Sequence, residues 1–215
     1  MSDSTVLPEA PFRTPLELRE APSGRVVDSA VDPLFVDRWS PRSFLPGPVP
    51  RELLATLFEA ARWAPSSNNE QPWLYVYATD AWDRARFLEA LAPGNRAWAE
   101  HAPALVFLFA RRTTTDGRPY RTYAFDAGAS WMSLALQARL LGLDTHPMGG
   151  FDPEKAYAAT GVDPARYEAM IAIALGYRGP ADALPVPLAG RERPSGRVPQ
   201  ATIAQEGCVA FTRAD

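Results

Sequence analysis

The sequence predicts a fold that mixes helices and strands around one sheet, of the α/β or α+β class. Three short apolar runs, at residues 74–78, 104–110 and 170–175, are typical of buried strands. Between them lie longer segments with the apolar periodicity or the capping residues of helices. The chain of 215 residues is long enough to bury a sizeable core in one domain.

Each shorter predicted helix has residues that favour its start or its end. The first is predicted over residues 51–63, because Pro50 suits a first helical turn and Pro65 cannot continue the helix. A second is expected after Asp80, whose side chain can accept hydrogen bonds from free N–H groups of the first turn. A short helix is expected within residues 152–161, between an aspartate and a glycine.

Residues 125–141 are predicted to form a long helix that is apolar on nearly every side. Such a helix is buried all round, and in a small chain a subunit interface is one way to bury it. The chain also has 22 prolines, about twice the usual share, many of them before Pro50 and after Gly179. Both ends are therefore expected to be extended and to lie on a partner subunit. We predict an extended or partly disordered extension over residues 1–33 and a single domain over 34–215.

Composition and charge exclude several classes of function. A net charge of −3 gives no electrostatic case for binding nucleic acid, and the longest apolar run, residues 102–110, is too short to cross a membrane. Residues 1–22 lack the basic start and apolar stretch of a secretion signal. A single cysteine, Cys208, fits a reducing cytoplasm and is expected to be a small buried residue. Two histidines and no cysteine cluster predict no metal site.

The first motif that could bind a ligand is the arginine segment, residues 38–44, which reads Arg-Trp-Ser-Pro-Arg-Ser-Phe. In an extended chain alternate side chains share a face, so Arg38, Ser40 and Arg42 should point the same way. Guanidinium groups bind phosphate through paired N–H donors, and a serine adds a neutral donor. The segment is interpreted as an anion site, with a solvated basic loop as the alternative.

The second motif is the Ser-Asn loop, residues 64–72, which follows the first predicted helix. Its hydroxyl and amide side chains suit the edges of a heterocycle or a polyol chain. The alternative is an ordinary connecting turn, in which serine and asparagine are common.

Two further motifs lie in the C-terminal half. Residues 146–152 include paired glycines, which let a backbone approach a ligand closely and leave its amides free to donate. Residues 194–199 contain Ser-Gly-Arg, which could contact an anion. Taken separately, an ordinary turn and a disordered tail explain these two motifs as well.

The order and spacing of the four motifs resemble the nitroreductase family of flavoproteins, over about residues 37–204. The likeness includes Arg-x-Ser-x-Arg-x-Phe at 38–44 and Ala-Pro-Ser-Ser-x-Asn-x-Gln-Pro-Trp at 64–73, which is its most specific part. It continues through 95–103, Asp-Ala-Gly-Ala at 126–129, Leu-Gly-Leu at 141–143, Pro-Met-Gly-Gly-Phe-Asp at 147–152 and Ser-Gly-Arg at 195–197.

The resemblance implies an α+β fold with a central mixed sheet, and an intertwined homodimer that binds one FMN in each of two interface sites. The phosphate and ribityl contacts would come from Arg38, Trp39, Ser40, Arg42, Ser195 and Arg197. The partner subunit would line the cofactor with Pro65, Ser66, Ser67 and Asn69, and Gln71 is a further candidate. The flavin ring would lie along Pro147, Met148, Gly149 and Gly150. Trp39 stands where the family often has a small or basic residue, and Gly149 where some members have glutamate.

The implied reaction is a two-step transfer in which NADH or NADPH reduces the flavin and a nitroaromatic, quinone or other small acceptor oxidises it. No catalytic side chain is predicted, because the flavin carries the chemistry and the backbone of Gly149 and Gly150 would support its reactive nitrogen N5. His146 is the alternative donor. Tyr120, Tyr123 and Phe125 are candidates for contacting a flat acceptor, and packing inside the protein is their alternative.

Three other functions fit the same motifs. The chain could be a specialised member of the scaffold, such as a flavin reductase, a dehalogenase or a dehydrogenase. It could bind or store FMN without turnover. A structural dimer that has lost its cofactor is the third, and three arginines around an empty cleft argue against it, since they would repel one another.

Overall fold

The computed structural model describes residues 24–207 of the chain. Residues 38–195 form the larger of two units, and residues 24–37 together with 196–207 form the smaller. The smaller unit thus combines stretches from both halves of the sequence. Cys208 and the prediction made for it lie outside the described residues.

Helices of different lengths lie between the strands, and the four predicted helices are confirmed. The helices are α1 (Pro33–Asp37), α2 (Arg51–Arg62), α3 (Ala81–Ala90), α4 (Pro93–Ala99), α5 (Tyr123–Leu140), α6 (Pro153–Thr160), α7 (Val186–Ala189) and α8 (Gln200–Ile203), with 3₁₀ turns at Ser67–Asn69 and Ala181–Ala183. Asp80 caps α3 and Asp152 caps α6, each by accepting hydrogen bonds from two N–H groups of the first turn. Gly161 ends α6 in the left-handed conformation, at φ 73°.

A four-stranded sheet forms the centre of the larger unit. Its strands are β1 (Trp73–Ala78), β2 (Ala104–Arg111), β3 (Asp144–Met148) and β4 (Tyr167–Gly176). They pair in the order β1-β2-β4-β3, and every pair is antiparallel. The α+β fold and the three predicted strands are confirmed, but the expectation of a mixed sheet is wrong for the residues that the structure describes.

Helices cover both faces of the sheet, which explains why its central strands are apolar over residues 104–110 and 169–175. On β2, Leu105, Phe107 and Phe109 pack towards α3, α4 and α6. The alternate residues Val106 and Leu108 pack towards α5 on the opposite face. A continuous apolar run therefore marks a strand that is buried on both faces, but it carries no information about the direction of the neighbouring strands.

Two elements were missed by the sequence pattern, and one expectation about the ends is wrong. The strand β3 contains Asp, Thr, His and Pro, so it has no apolar run, and it accepts Pro147 because it lies at the edge of the sheet. The helix α4 was missed because it is short and begins with Pro-Gly. The expectation that both ends are extended is wrong in part, because the short helices α1, α7 and α8 lie there. Each has a proline at or just before its first position, where proline favours a helical turn.

The long helix α5 is buried on one side only. Ala127, Leu134 and Ala138 pack against α2 and the sheet. Ser130 links three elements, because its hydroxyl donates to the Ala61 carbonyl of α2 and accepts from Tyr75 of β1. Other apolar residues of α5 remain exposed in the single chain, Phe125 at 79%. The prediction that this helix is buried all round is therefore not met within one subunit.

Candidate functional site

The arginine segment has the predicted alternation of side chains. Trp39, Pro41 and Ser43 are buried, whereas Arg38, Ser40 and Arg42 are half-buried. Arg38 Nη1 donates to Ser40 Oγ at 3.5 Å, which places these two side chains together. The structure thus presents two guanidinium groups and a hydroxyl along the accessible side of one extended stretch.

Trp39 lies on the opposite side of the arginine segment, so its side chain does not share the accessible face, and its place among the cofactor contacts stays a prediction. Its ring is buried, and the Arg178 guanidinium lies 5.6 Å from the ring centre. The physical reason is the same alternation that brings its neighbours together, because successive side chains of an extended chain point to opposite sides.

The backbone of the arginine segment is fixed by the stretch that follows β4. Leu45 N donates to Tyr177 O at 2.8 Å, and Gly179 N donates to Ser43 O at 2.9 Å. The Ser43 hydroxyl donates to Pro180 O at 2.7 Å. A Cβ at Gly179 would lie 2.6 Å from Ser43 Oγ, so this close approach requires glycine.

Glu192 is a buried residue of this site that the sequence did not reveal. Its side chain is 3% exposed, and its Oε1 accepts from Arg42 N at 2.7 Å and from Ser43 N at 2.9 Å. Its Oε2 lies 3.9 Å from Arg42 Nη1 and has no hydrogen-bond partner within residues 24–207. The carboxylate holds the turn of the arginine segment and also attracts the Arg42 guanidinium.

His146 supports the same segment from β3. Its Nδ1 lies 2.9 Å from Pro41 O, and since a carbonyl only accepts, Nδ1 must carry the proton. The ring packs on Trp98, with ring centres 4.5 Å apart. Burial, with a smaller contribution from the charge of Arg42, lowers the pKa of His146 to about 4. The imidazole is therefore neutral near pH 7, and its Nδ1–H is hydrogen-bonded to the backbone of the arginine segment.

The Ser-Asn loop has an unusual backbone. Asn68, Asn69 and Gln71 have positive φ values of 51°, 56° and 45°. Asparagine tolerates this region, but for glutamine it is strained, by about 1–2 kcal/mol. The loop partly satisfies itself, because Gln71 N donates to Ser66 Oγ and Gln71 Nε2 donates to Asn69 O, both at 3.0 Å. The side-chain amide nitrogen of Gln71 therefore donates within its own loop.

Asp126, at the start of α5, anchors the Ser-Asn loop. The carboxylate is buried, and its Oδ2 accepts from Ser67 N at 3.2 Å and from Thr122 Oγ1 at 3.3 Å. The Tyr120 hydroxyl makes a short contact with the same oxygen and lies 3.1 Å from Ser67 O. Burial is the main reason that the pKa of Tyr120 is raised.

These contacts favour the packing alternative for Tyr120 over contact with an acceptor. Its ring is buried and its hydroxyl is engaged, so in this structure it anchors the loop. Tyr123 is half-buried and packs on the core beside Val106 and Leu108. Of the three aromatic candidates, Phe125 alone exposes most of its ring.

A second anchor joins the Ser-Asn loop to residues 111–115. Arg111 Nη2 lies 2.9 Å from Glu70 Oε2, and Thr115 N donates to the same oxygen at 2.8 Å. The guanidinium of Arg111 lowers the pKa of Glu70. The carboxylate therefore stays ionised near neutral pH and holds both stretches.

The glycine turn, residues 148–151, follows the edge strand β3. The Met148 side chain is 2% exposed and packs in the core, so this residue can offer a ligand only its backbone. Gly149 and Gly150 are exposed, and within residues 24–207 neither of their N–H groups has a hydrogen-bond acceptor. Two donors are thus available at this turn.

Arg197 belongs to the smaller unit, where it lines a groove of about 440 Å³ together with Arg25. Burial lowers the pKa of Arg25, and the charge of Arg197 lowers it further, while Asp37 opposes the change. The groove therefore has two guanidinium groups near each other. Arg25 is a basic residue that the motifs did not single out.

The model of the nitroreductase family matches residues 36–177 of the chain. The chain belongs to the nitroreductase family. The match includes the arginine segment, the Ser-Asn loop and the glycine turn, so the resemblance seen in the motifs is confirmed and the chain is placed among oxidoreductases.

Individual relatives agree with this assignment. A protein of Stenotrophomonas maltophilia strain K279a, named as an NADH dehydrogenase/NAD(P)H nitroreductase, is 30% identical over 181 residues, which is 73% of this chain and 89% of the relative. A solved structure described as an oxidoreductase containing FMN is 42% identical, has a TM-score of 0.84 and covers 87% of this chain and 97% of its own. A nitroreductase from Exiguobacterium sibiricum in complex with FMN, 23% identical with a TM-score of 0.69, shares the fold over 85% of this chain and all of its own.

The donors of this nitroreductase-family chain suit a phosphorylated aromatic cofactor. Arg38 and Arg42 offer charged, half-buried N–H groups, which suit a phosphate better than a neutral ligand. The two amides at Gly149 and Gly150 lie on a turn without side chains, which suits close approach by a flat ring. Among the described residues, no group of three His, Cys, Asp or Glu side chains could hold a metal ion, and no helix is long and apolar enough to span a membrane.

Proposed function

We propose that this protein is an FMN-dependent oxidoreductase that uses NADH or NADPH to reduce small aromatic acceptors such as nitroaromatics and quinones. The observation that carries the proposal is the row of Arg38, Ser40 and Arg42 on one side of the arginine segment. The chain that carries this row is 42% identical to an oxidoreductase containing FMN.

Three arginines would hold the FMN phosphate. Arg38 and Arg42 supply charge from the arginine segment, and Arg197, with Ser195 beside it in the sequence, supplies it from the C-terminal side. Ser40 suits a ribityl oxygen or the phosphate. Glu192 keeps the arginine segment in its turn, and its second oxygen has no hydrogen-bond donor of its own within residues 24–207. Binding of the phosphate would compete with Glu192 for the Arg42 guanidinium.

FMN, when bound, would supply the redox chemistry, namely hydride transfer from the nicotinamide and electron transfer to the acceptor. This chain binds the cofactor, orients it and offers N–H donors at the glycine turn. Pro147 has no N–H, and the exposed N–H groups of Gly149 and Gly150 have no acceptor within residues 24–207, so these two amides are the donors we assign to the ring. His146 is neutral and already donates to Pro41, which argues against a role for it as proton donor.

The site would be completed by a second copy of the chain. The exposed Pro65, Ser67 and Asn69 would line the cofactor of the partner subunit, and exposed Phe125 and Leu140 of α5 would be covered in a homodimer. Apolar residues of the smaller unit, such as Val26 and Ile203, are also exposed. A cytoplasmic location is expected from the use of a single cysteine.

The decisive experiment is to purify the protein, load it with FMN or riboflavin, and add NADH or NADPH without oxygen. We expect tight binding of FMN, much weaker binding of riboflavin, and bleaching by a nicotinamide, followed by reoxidation by a nitroaromatic or a quinone. FMN binding without bleaching by either nucleotide would favour storage or another reductant. A protein that cannot be loaded with FMN would refute the proposal.

A further inference from the structure

Residues 90–95 lie directly against the glycine turn and contain an amide side chain that no motif explained. Leu91 forms an isolated antiparallel bridge with Phe151, and Asp152 N donates to Ala90 O at 2.8 Å. Asn95 follows Ala90 and Leu91 closely and lies in the first turn of α4. The glycine turn therefore packs against the backbone of residues 90–92, and Asn95 lies beside it.

The Gly150 carbonyl is held by two donors from these residues. Ala92 N donates to it at 3.0 Å, and Asn95 Nδ2 donates to it at 2.9 Å. Phe151 N, in the same peptide unit as that carbonyl, donates to Gly149 O at 3.2 Å. These bonds fix the rotation of the peptide that follows Gly150 and, through it, the direction of the turn.

The space around Gly150 depends on the same asparagine. A Cβ at Gly150 would lie 2.7 Å from Asn95 Nδ2 and 3.5 Å from the Cβ of Ala92, whereas a Cβ at Gly149 would meet nothing within 4 Å. The φ of Gly150 is not positive, so the backbone conformation does not itself require glycine. Contact with Asn95 is what excludes a larger residue at position 150.

We propose that Asn95 is a positioning residue, which orients the Gly149 and Gly150 amides towards the flavin ring by holding the Gly150 carbonyl. The proposal rests on the function proposed above. Both amides lack an acceptor within residues 24–207, while the carbonyls around them are satisfied by the turn itself and by Asn95. A turn whose carbonyls already accept hydrogen bonds and whose N–H groups are available is a preformed donor site, which needs no rearrangement when the ring binds.

The test uses the full-length protein loaded with FMN that is labelled with ¹⁵N at N5. A hydrogen bond to the lone pair of a pyridine-type nitrogen shifts its resonance upfield, so the N5 resonance reports the amide directly. We expect Asn95→Ala to keep FMN bound and to move the resonance of oxidised N5 downfield from its wild-type position. Asn95→Asp should do the same, because a carboxylate has no N–H to donate and repels the Gly150 carbonyl. Arg96→Ala, an exposed neighbour on α4, is the matched control and should leave the resonance unchanged.

A second measurement separates positioning from general stability. Gly150→Ala should weaken FMN binding about tenfold, because the new methyl group collides with Asn95. The same substitution in the Asn95→Ala background should weaken FMN binding by less than about threefold, since the colliding group is gone.

The two proposals fail in different ways. If wild-type protein does not bind FMN, both are overturned. If FMN binds but the N5 resonance is the same in wild type, Asn95→Ala and Asn95→Asp, the role of Asn95 is overturned and the proposed function stands. Equal costs of Gly150→Ala in the two backgrounds would also overturn it.

Discussion

The arginine segment and the Ser-Asn loop are both rich in hydrogen-bonding side chains, but they are built in different ways. In the arginine segment the backbone is fixed by residues 177–180, which follow β4, and by Glu192, and simple alternation directs the side chains. The Ser-Asn loop has three positive φ values and is fixed by carboxylates at Asp126 and Glu70. In the extended segment, alternation along the chain decides which side chains share a face, whereas in the irregular loop contacts with distant residues hold the backbone conformation that presents them.

The largest effect is expected from removing the main anchor of the Ser-Asn loop. Asp126→Ala removes three hydrogen bonds to a carboxylate, from Ser67 N, Thr122 Oγ1 and the buried Tyr120 hydroxyl, and a hydrogen bond to a charged group is worth about 1.5–3 kcal/mol. We expect the free energy of unfolding in urea to fall by about 4 kcal/mol. The exposed Asp116→Ala is the control, with an expected change below about 0.5 kcal/mol. Similar losses in the two variants would mean that the loop does not depend on its anchor.

A pH-dependent effect is expected from His146, which supports the arginine segment. Its pKa is about 4 in the folded protein and 6.5 in the unfolded chain, so the unfolded state binds a proton first as the pH falls. The free energy of unfolding should therefore decrease between pH 6.5 and pH 4, by about 3 kcal/mol at most. Urea titrations of wild type and His146→Phe across this range would check it. A variant that loses stability with the same slope as wild type would contradict the assignment.

A smaller effect, specific to the ligand, is expected from Arg42. Arg42→Ala should weaken FMN binding by about 2 kcal/mol, at the lower end of the cost of truncating a charged partner, because the side chain is partly exposed and shared with Glu192. Riboflavin binding, which involves no phosphate, should change little. Arg62→Ala, on the exposed side of α2, provides the control. Equal losses for FMN and riboflavin would show that Arg42 shapes the segment without binding phosphate.

The smallest effect concerns the strained backbone of the Ser-Asn loop. Gln71→Gly relieves a positive φ of 45° but loses the hydrogen bond from Nε2 to Asn69 O. We expect a net gain in thermal stability of about 0.5–1 kcal/mol, because the backbone strain exceeds the value of an exposed hydrogen bond. A loss of stability in calorimetry would show that the hydrogen bond from Nε2 is worth more than the backbone strain.

What the sequence predicted in this protein was local, and what it missed depends on contacts between distant residues. The alternation of Arg38, Ser40 and Arg42 and the caps Asp80 and Asp152 follow from nearest-neighbour geometry, and the structure has them. Strand direction depends on partners far along the chain, so an apolar run could not reveal an antiparallel sheet.

The roles of polar residues outside the motifs were missed for the same reason. Glu192 is 150 positions from Arg42, and Asn95 is 55 positions from Gly150. The sequence left Tyr120 open between contact with a flat acceptor and packing inside the protein, because only the fold brings its hydroxyl to Ser67 and Asp126. A buried polar residue gives a recognisable signal in a sequence only when its partner lies nearby.

The position of Pro147 in β3 has a consequence for the protein in a crowded solution. A strand at the edge of a sheet offers its free N–H and C=O groups to any extended chain, and such edges promote aggregation. Proline interrupts that row of donors in the middle of β3. Pro147→Thr, which restores an N–H to a strand-forming residue, is therefore expected to raise the tendency of the protein to precipitate at high concentration even if it folds normally.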